Sequence, residues 1–147
     1  HTYLKDIRER YGIQHDDDLN ELVSIIASTV GSMTNPTNLA NTFRSEKKSG
    51  ISRDTIAKYL EYMEDAFMIE RSIRYDIRGK RYIDTPYKYY FSDIGLRNAR
   101  INFRQNDDGH LMENMLYNEL RILGFSVDVG QVIVEQKDEK GSTYQTC

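Results

Sequence analysis

The chain is poor in cysteine and proline, has no tryptophan, and contains no long apolar run. Its single cysteine, Cys147, is the last of 147 residues, so neither a disulfide framework nor a thiolate metal site is expected. No stretch of about 18 apolar residues predicts a membrane span, and no basic leader before an apolar segment predicts secretion. With 39% apolar and 29% charged residues, the composition indicates a globular, cytoplasmic protein that does not enter a membrane.

The usual signatures of catalysis are missing as well. No loop of the form GxxxxGK followed by Ser or Thr is present, so this stretch alone is not expected to hydrolyse ATP or to carry a cofactor. The histidines His1, His15 and His110 are far apart in sequence, which gives no support for a metal site. No Ser–His–Asp or Cys–His set can be assembled.

One loose set of acidic residues remains. Glu113 falls on a predicted helix, Asp128 on a strand, and Glu135 with Lys137 follows the next strand. Some nucleases gather such carboxylates around Mg²⁺. The same residues are also typical of a polar helix face and a charged hairpin turn, so the pattern leaves both interpretations open.

Charge is distributed unevenly along the chain. Between Arg44 and Arg104 there are 14 basic and 9 acidic residues, a net charge of +5. The remainder carries −8, which gives the net −3 of the whole. The basic middle indicates a polyanion as a candidate partner, while an ordinary solvated surface is the alternative.

Three helices are predicted in the first half. The Asp cluster at 16–18 begins a helix that ends near Gly31, and Asn35 with Pro36 begins a second. In "GISRDTIAKYLEYMEDAFMI", Ser52 caps a third helix. The apolar residues Ile56, Leu60, Met63 and Phe67 form one seam along it.

Alternating strands follow these helices. The stretch 69–83 alternates around a break at "RGK", which predicts a hairpin, and "YKYYFSD" predicts a further aromatic strand segment. Two short helices joined by a Gly-containing turn, preceded by a supporting helix and followed by a hairpin, are typical of a winged helix. We therefore predict an α+β fold in which residues 16–105 form a winged-helix-like domain.

A helix-turn-helix reads DNA with the first residues of its second helix. The residues predicted to contact nucleic acid, beside that helix and at the hairpin tip, are Arg44, Lys47, Lys48, Arg53, Thr55, Lys58, Arg78, Lys80 and Arg81. The helix start and the hairpin tip are expected to lie on the same side and to form one basic surface, with duplex DNA as the partner. A purely structural helix, or a module that docks protein, is the alternative.

A second domain is predicted to begin near Asn106. The stretch "HLMENMLYNELRILG" predicts a helix that Gly124 ends, followed by alternating strands. The apolar side of this helix, expected to face a core, comprises Leu111, Met112, Met115, Leu116 and Leu120.

Several blocks resemble a bacterial and archaeal AAA+-type family of predicted ATPases with a C-terminal domain of unknown function. They are "YLKDI", "LANTFRSEKKSGISRDTIAKYLEYMEDAFMI", "KYYFSDIGLRNAR" and "GHLMENMLYNEL". The resemblance runs from Tyr3 to about Val134. Its most specific parts are "YxxxFSDxGLRN", from Tyr87 to Asn98, and "GxxxEN", from Gly109 to Asn114.

The resemblance implies a P-loop ATPase domain upstream, a winged-helix segment, and a C-terminal part similar to the PD-(D/E)xK nuclease fold. Residues 1–15 would then link to the ATPase domain, and 106–147 would be the first part of a truncated nuclease-like α/β domain. Glu113 matches the first acidic residue of that core, whereas the family's later strand aspartate has no counterpart here. ATP and Mg²⁺ are implied for the full-length protein. Since the chain also starts without Met, we expect a non-catalytic part of a longer protein.

Overall fold

The computed structural model describes residues 2–13, 16–47, 50–103, 108–131, 134–137 and 143–146. Within these residues the fold is α+β, with six helices and a small three-stranded sheet. The helices are α1 (Thr2–Tyr11), α2 (Asp16–Ser28), α3 (Pro36–Lys47), α4 (Arg53–Asp65), α5 (Ile94–Arg100) and α6 (Asp108–Ile122). The strands are β1 (Ile69–Asp76), β2 (Arg81–Phe91), β3 (Val129–Gln131), β4 (Val134–Lys137) and β5 (Thr143–Thr146). In this part of the chain, no helix is both long and apolar enough to cross a membrane.

The starts of the central helices are where their capping residues predict. The Asn35 side chain accepts a hydrogen bond from the Asn38 amide at 2.8 Å, and α3 begins at Pro36. Ser52 accepts from the Thr55 amide at 3.0 Å at the start of α4. Gly31, which follows α2, has a φ of 72°, the left-handed conformation expected there.

The main core lies among α2, α3, α4 and one face of the β1–β2 hairpin. The seam of α4 is buried as predicted, with Ile56, Leu60 and Met63 each at most 2% exposed. The seam shares one core with apolar residues of α2, among them Leu22 and Ile26, and α4 also packs on α3 and contacts β1 and α1. Phe67, expected to continue the seam, is 77% exposed because the helix has already ended.

The hairpin closes the core with an aromatic face. β1 and β2 are antiparallel, with Ile69 opposite Phe91 and Asp76 opposite Arg81. Tyr87, Tyr89 and Phe91 are buried against the helices, because alternate residues of a strand point to the same face. The strand predicted to stop near Ile83 and the one predicted in "YKYYFSD" are a single strand, β2.

Two further backbone contacts extend the hairpin. Thr34, between α2 and α3, pairs with Tyr87 on the free edge of β2 through N–H···O bonds of 2.8 and 3.0 Å. On the other edge β3 pairs in parallel with residues 74–76 of β1, so the sheet order is β2-β1-β3. Residues from the predicted second domain therefore contribute a strand to the same sheet as the hairpin.

Helix α6 lies on the opposite face of this sheet, and its orientation corrects the sequence prediction. Met112, Met115 and Leu116, expected to face a core, are 56–69% exposed. Its most buried residues are instead Asn114 and Tyr117. The reason is that β2 presents polar side chains and backbone groups on this side, and these bind the polar face of α6.

Candidate nucleic-acid interface

The N-terminus of α4 is held in a rigid cap. The Ser52 hydroxyl lies 2.8 Å from the Thr55 hydroxyl as well as accepting from the Thr55 amide. The Thr55 hydroxyl is thus already hydrogen-bonded within the cap, so it is less available to bind a base edge than the sequence suggested. What the cap does is fix the direction in which the neighbouring side chains leave the helix.

The cations predicted around this N-terminus reach solvent. Arg53 and Lys58 are exposed on α4, and Arg44 is exposed on α3. Arg53 lies 3.6 Å from Asp54, and Arg44 donates to Asn41 at 3.4 Å. Because both partners of the Arg53–Asp54 pair are largely exposed, the pair contributes little to stability and phosphate can replace Asp54.

The hairpin tip is built on Asp76. One oxygen of this buried carboxylate accepts hydrogen bonds from the amides of Arg78 and Gly79, at 3.1 and 2.9 Å. The other oxygen lies 3.8 Å from Arg81 Nε. A side chain at position 79 would collide with the carboxylate, which accounts for glycine there. The turn consequently displays Arg78, Lys80 and Arg81, all exposed, on a braced backbone.

Two of the residues predicted to contact nucleic acid lie at or beyond the edge of the part of the chain that the structure describes. Lys47 is the last residue of α3, with its side chain outside the described part, and Lys48 lies outside it altogether. For the rest, exposure is established for Arg44, Arg53, Lys58 and the three cations of the tip. That they form one continuous basic surface stays a prediction.

Glu113, the candidate catalytic acid, is bound by neighbouring side chains. Its Oε1 accepts from Lys88 Nζ at 2.6 Å and from the Tyr90 hydroxyl at 2.5 Å, and its Oε2 lies 3.7 Å from His110 Nδ1. Gly31 lies close to this cluster, because a Cβ at position 31 would be 2.8 Å from His110 Nδ1. Lys88 and Tyr90 point to this face because they alternate with the core aromatics of β2.

The electrostatics of this cluster follow from those contacts. Burial raises the pKa of Glu113, but hydrogen bonds from Lys88 and Tyr90 and the Lys88 charge outweigh it, so the pKa lies below its ordinary value. The pKa of Tyr90 is raised, first by burial and then by the hydrogen bond to Glu113. Glu113 is therefore a carboxylate paired with a cation, and a poor proton donor.

A cleft of about 350 Å³ adjoins the cluster and is lined by both Glu113 and Asp128. Asp128 accepts a hydrogen bond from the Tyr82 hydroxyl at 3.0 Å. Glu135 and Lys137 lie on β4, where side chains are outside the described part. Among the described side chains, no group of three or more His, Cys, Asp or Glu is arranged to hold a metal ion.

Asn114, which the sequence analysis did not single out, joins α6 to the sheet. Its side-chain amide accepts from the Phe91 N–H at 2.9 Å and donates to the Phe91 carbonyl at 2.8 Å. It thereby pairs both backbone groups that Phe91 directs away from β1, as a neighbouring strand would. Asn118 also donates to the Phe91 carbonyl, at 3.0 Å. The available sequence signal for this role of Asn114 was the "EN" of "GxxxEN", in which Asn114 directly follows Glu113.

Arg97, whose role was also not predicted, joins α5 to α2. This side chain is only 1% exposed, and its Nε donates a hydrogen bond at 2.8 Å to the carbonyl of Ala27, which lies in the last turn of α2. Arg100 donates to the Ser24 hydroxyl at 3.0 Å and to the carbonyl of Asn20. Cations near the C-terminal carbonyls of a helix are favourable. The "SDIGLRN" block thus begins α5 with Asp93 as its N-cap and ties it to α2.

These two sequence blocks therefore have structural roles in the fold, and the chain also matches a known protein family. A family model described as "Domain of unknown function (DUF8612)" matches residues 1–107, well over half of the chain. The chain belongs to this family. The DUF8612 match includes the exposed cations of α3, α4 and the hairpin tip, and it ends before Glu113 and Asn114 on α6.

Two curated relatives are similar over most of the chain. An uncharacterized protein of Haemophilus influenzae is 37% identical over 135 residues, which is 92% of this chain and 34% of the relative. An uncharacterized protein of Methanocaldococcus jannaschii is 28% identical over 136 residues, 92% of this chain and 30% of the relative. The chain therefore spans about a third of the length of these relatives. No solved structure matches it significantly.

Proposed function

We propose that this chain is the winged-helix-containing, non-catalytic part of a AAA+-type ATPase, and that the module binds duplex DNA. The N-terminus of α4 would enter the major groove, and the β1–β2 tip would contact the adjacent backbone. The observation that carries the proposal is the exposure of Arg53, Lys58 and the tip cations on two braced elements.

The order of the elements supports a winged helix. α2, α3 and α4 are followed by the β1–β2 hairpin, and Thr34 pairs with Tyr87 in the position of a short first strand. In helix-turn-helix modules the second helix of the pair docks by its first residues. Here that helix is α4, and Arg53 and Lys58 lie within its first two turns.

The distribution of charge along the chain supports a nucleic-acid partner over a partner of another kind. The stretch from Arg44 to Arg104 carries +5 within a protein of net −3. The ion pair of Arg53 with Asp54 is long and both of its side chains are exposed, so little free energy is needed to replace Asp54 with phosphate. A nuclease role has weaker support, because Lys88 and Tyr90 already bind the Glu113 carboxylate.

The proposal extends to the longer protein. An upstream P-loop domain that uses ATP and Mg²⁺ would supply the energy, and the module would supply the DNA contact or relay nucleotide state. The support is the resemblance of the sequence blocks, together with relatives about three times as long as the matched segment.

The test is the double change Arg53→Ala and Lys58→Ala, measured by fluorescence anisotropy on duplex DNA over a range of salt concentrations. Each lost phosphate contact lowers the salt slope by about one unit, so the slope should fall by about two. The thermal midpoint should stay nearly unchanged, because both side chains are exposed.

The matched control removes two exposed cations from α1, Lys5→Ala and Arg10→Ala, and should leave the slope as it is. A further double change at the tip, Arg78→Ala and Lys80→Ala, should also lower it. If DNA affinity survives both the α4 and the tip changes, the module docks protein and the proposal is wrong.

A further inference from the structure

The exposed apolar side of α6 is a surface feature that the contacts within the described residues do not explain. Its second and third residues are three and four positions after the first, and its last helical residue follows seven positions after the second, which places them along one side of the helix. They are Met112, Met115, Leu116 and Ile122, followed by Leu123 and Phe125 just beyond the helix, and all are between 56% and 78% exposed. Single exposed apolar residues are ordinary, but a row of this length marks an interaction surface.

The helix cannot rotate to bury this row. Asn114 is bonded to both backbone groups of Phe91, and Tyr117 donates to Glu70 at 2.9 Å. Arg121 also donates to Glu70, at 3.0 Å. Turning the apolar side inward would break these bonds and would leave the N–H of Phe91 without a partner in a buried position. The apolar side therefore remains outward.

We infer that this surface is the docking site of a further apolar layer, a β-sheet that the rest of the polypeptide supplies in the longer proteins containing this segment. About two thirds of each curated relative lies outside the match, which is ample chain for such a layer. Among the described residues after α6 are the strands β3, β4 and β5, and the β4–β5 ribbon has two strands, fewer than a stable sheet needs. A helix with one apolar side buries it against a sheet in folds of this class.

The charge in the middle of the row argues against a second copy of the chain. Glu119 is exposed between Leu116 and Ile122, near the midpoint of the apolar row. A two-fold contact through this side would place two Glu119 carboxylates close together, because such an interface meets its own copy. Like charges at an interface oppose association. A different layer can present a cation or a backbone N–H to Glu119.

The inference shares with the proposed function only the premise of a longer polypeptide, and it does not depend on DNA binding. The experiment measures maleimide labelling of Met115→Cys in a Cys147→Ser background. It compares the 147-residue chain with the protein encoded by the complete reading frame. Labelling should be fast in the short chain and slower by about tenfold or more in the full protein. Glu61→Cys, exposed on α4, serves as the control and should react alike in both.

Three results would overturn the inference. One is equally fast labelling in both proteins, and another is a reading frame that encodes no more than this segment. The third is labelling in the short chain that slows as its concentration rises, which would assign the surface to a second copy. Circular dichroism checks that each variant is folded. The labelling ratio is independent of the DNA-binding measurement, so the two proposals can fail separately.

Discussion

Helices α4 and α6 are similar in length and in apolar content but pack in opposite ways. α4 buries Ile56, Leu60 and Met63 and displays its charges. α6 buries Asn114 and Tyr117 against the sheet and displays Met112 and Met115. An amphipathic pattern therefore predicts a helix with two sides. It does not predict which side meets the rest of the described chain.

The difference lies in what each helix meets. α4 faces an apolar core, where burial is favourable in proportion to area and requires no particular geometry. α6 faces the polar side of β2, where Lys88, Tyr90 and the backbone of Phe91 require partners in defined positions. Apolar burial thus holds α4 in place, whereas directional hydrogen bonds hold α6.

The largest expected effect comes from the same substitution in both helices. Met63→Ala removes a fully buried side chain and should cost about 2–5 kcal/mol of unfolding free energy, from lost transfer energy and a cavity. Met115→Ala removes one that is 56% exposed and should change stability by less than about 0.5 kcal/mol. Urea unfolding of both variants measures the difference, and equal losses would show that the contrast between the helices is wrong.

An intermediate effect is expected from the bond that orients α6. Asn114→Ala leaves the N–H of Phe91 buried and unpaired, and should cost about 1–3 kcal/mol. Asn118→Ala removes donors to the carbonyls of Phe91 and Ser92 and an acceptor for Asn114, but it leaves the N–H of Phe91 paired and should cost less. Hydrogen exchange at the Phe91 amide should accelerate in the first variant. If that amide exchanges as slowly as in the unaltered protein, Asn114 is not its essential partner.

The smallest effect concerns pH and Glu113. Because the folded pKa of this carboxylate lies below its ordinary value of 4.5, its contribution to stability is complete above that value. The contribution disappears as pH falls through the folded pKa. Glu113→Gln should therefore be less stable than the unaltered protein at neutral pH, and the difference should shrink in acid. Thermal midpoints across this range test it, with Glu119→Gln as the control for losing one negative charge, and a difference that grows in acid would contradict it.

The elements that could be predicted are those set by short-range chemistry. Asn35, Ser52 and Asp93 cap the helices that follow them, and each bond joins residues three apart. Gly124, predicted to end the last helix, has a φ of 86°. Such signals lie within a few residues of the element they control, so sequence alone contains them.

The features that could not be predicted depend on pairs distant in sequence. Lys88 and Tyr90 are 25 and 23 residues from Glu113, and no spacing rule connects a strand residue to a particular helix residue. Consequently the carboxylate could be placed on a helix but not recognised as already paired. The parallel pairing of β1 with β3 likewise joins residues far apart in sequence, with Arg74 opposite Val129.

The bonds along β2 also determine how the hairpin behaves toward other chains. A strand whose outer N–H and C=O groups are free can accept a further strand, which is a route to aggregation. Here Thr34 pairs with both backbone groups of Tyr87, and the Gly31 N–H donates to the Tyr89 carbonyl. Asn114 occupies both groups of Phe91. Residues 87–91 of this edge are thus protected by a loop and one side-chain amide, and loss of Asn114 would open a site at which misassembly can begin.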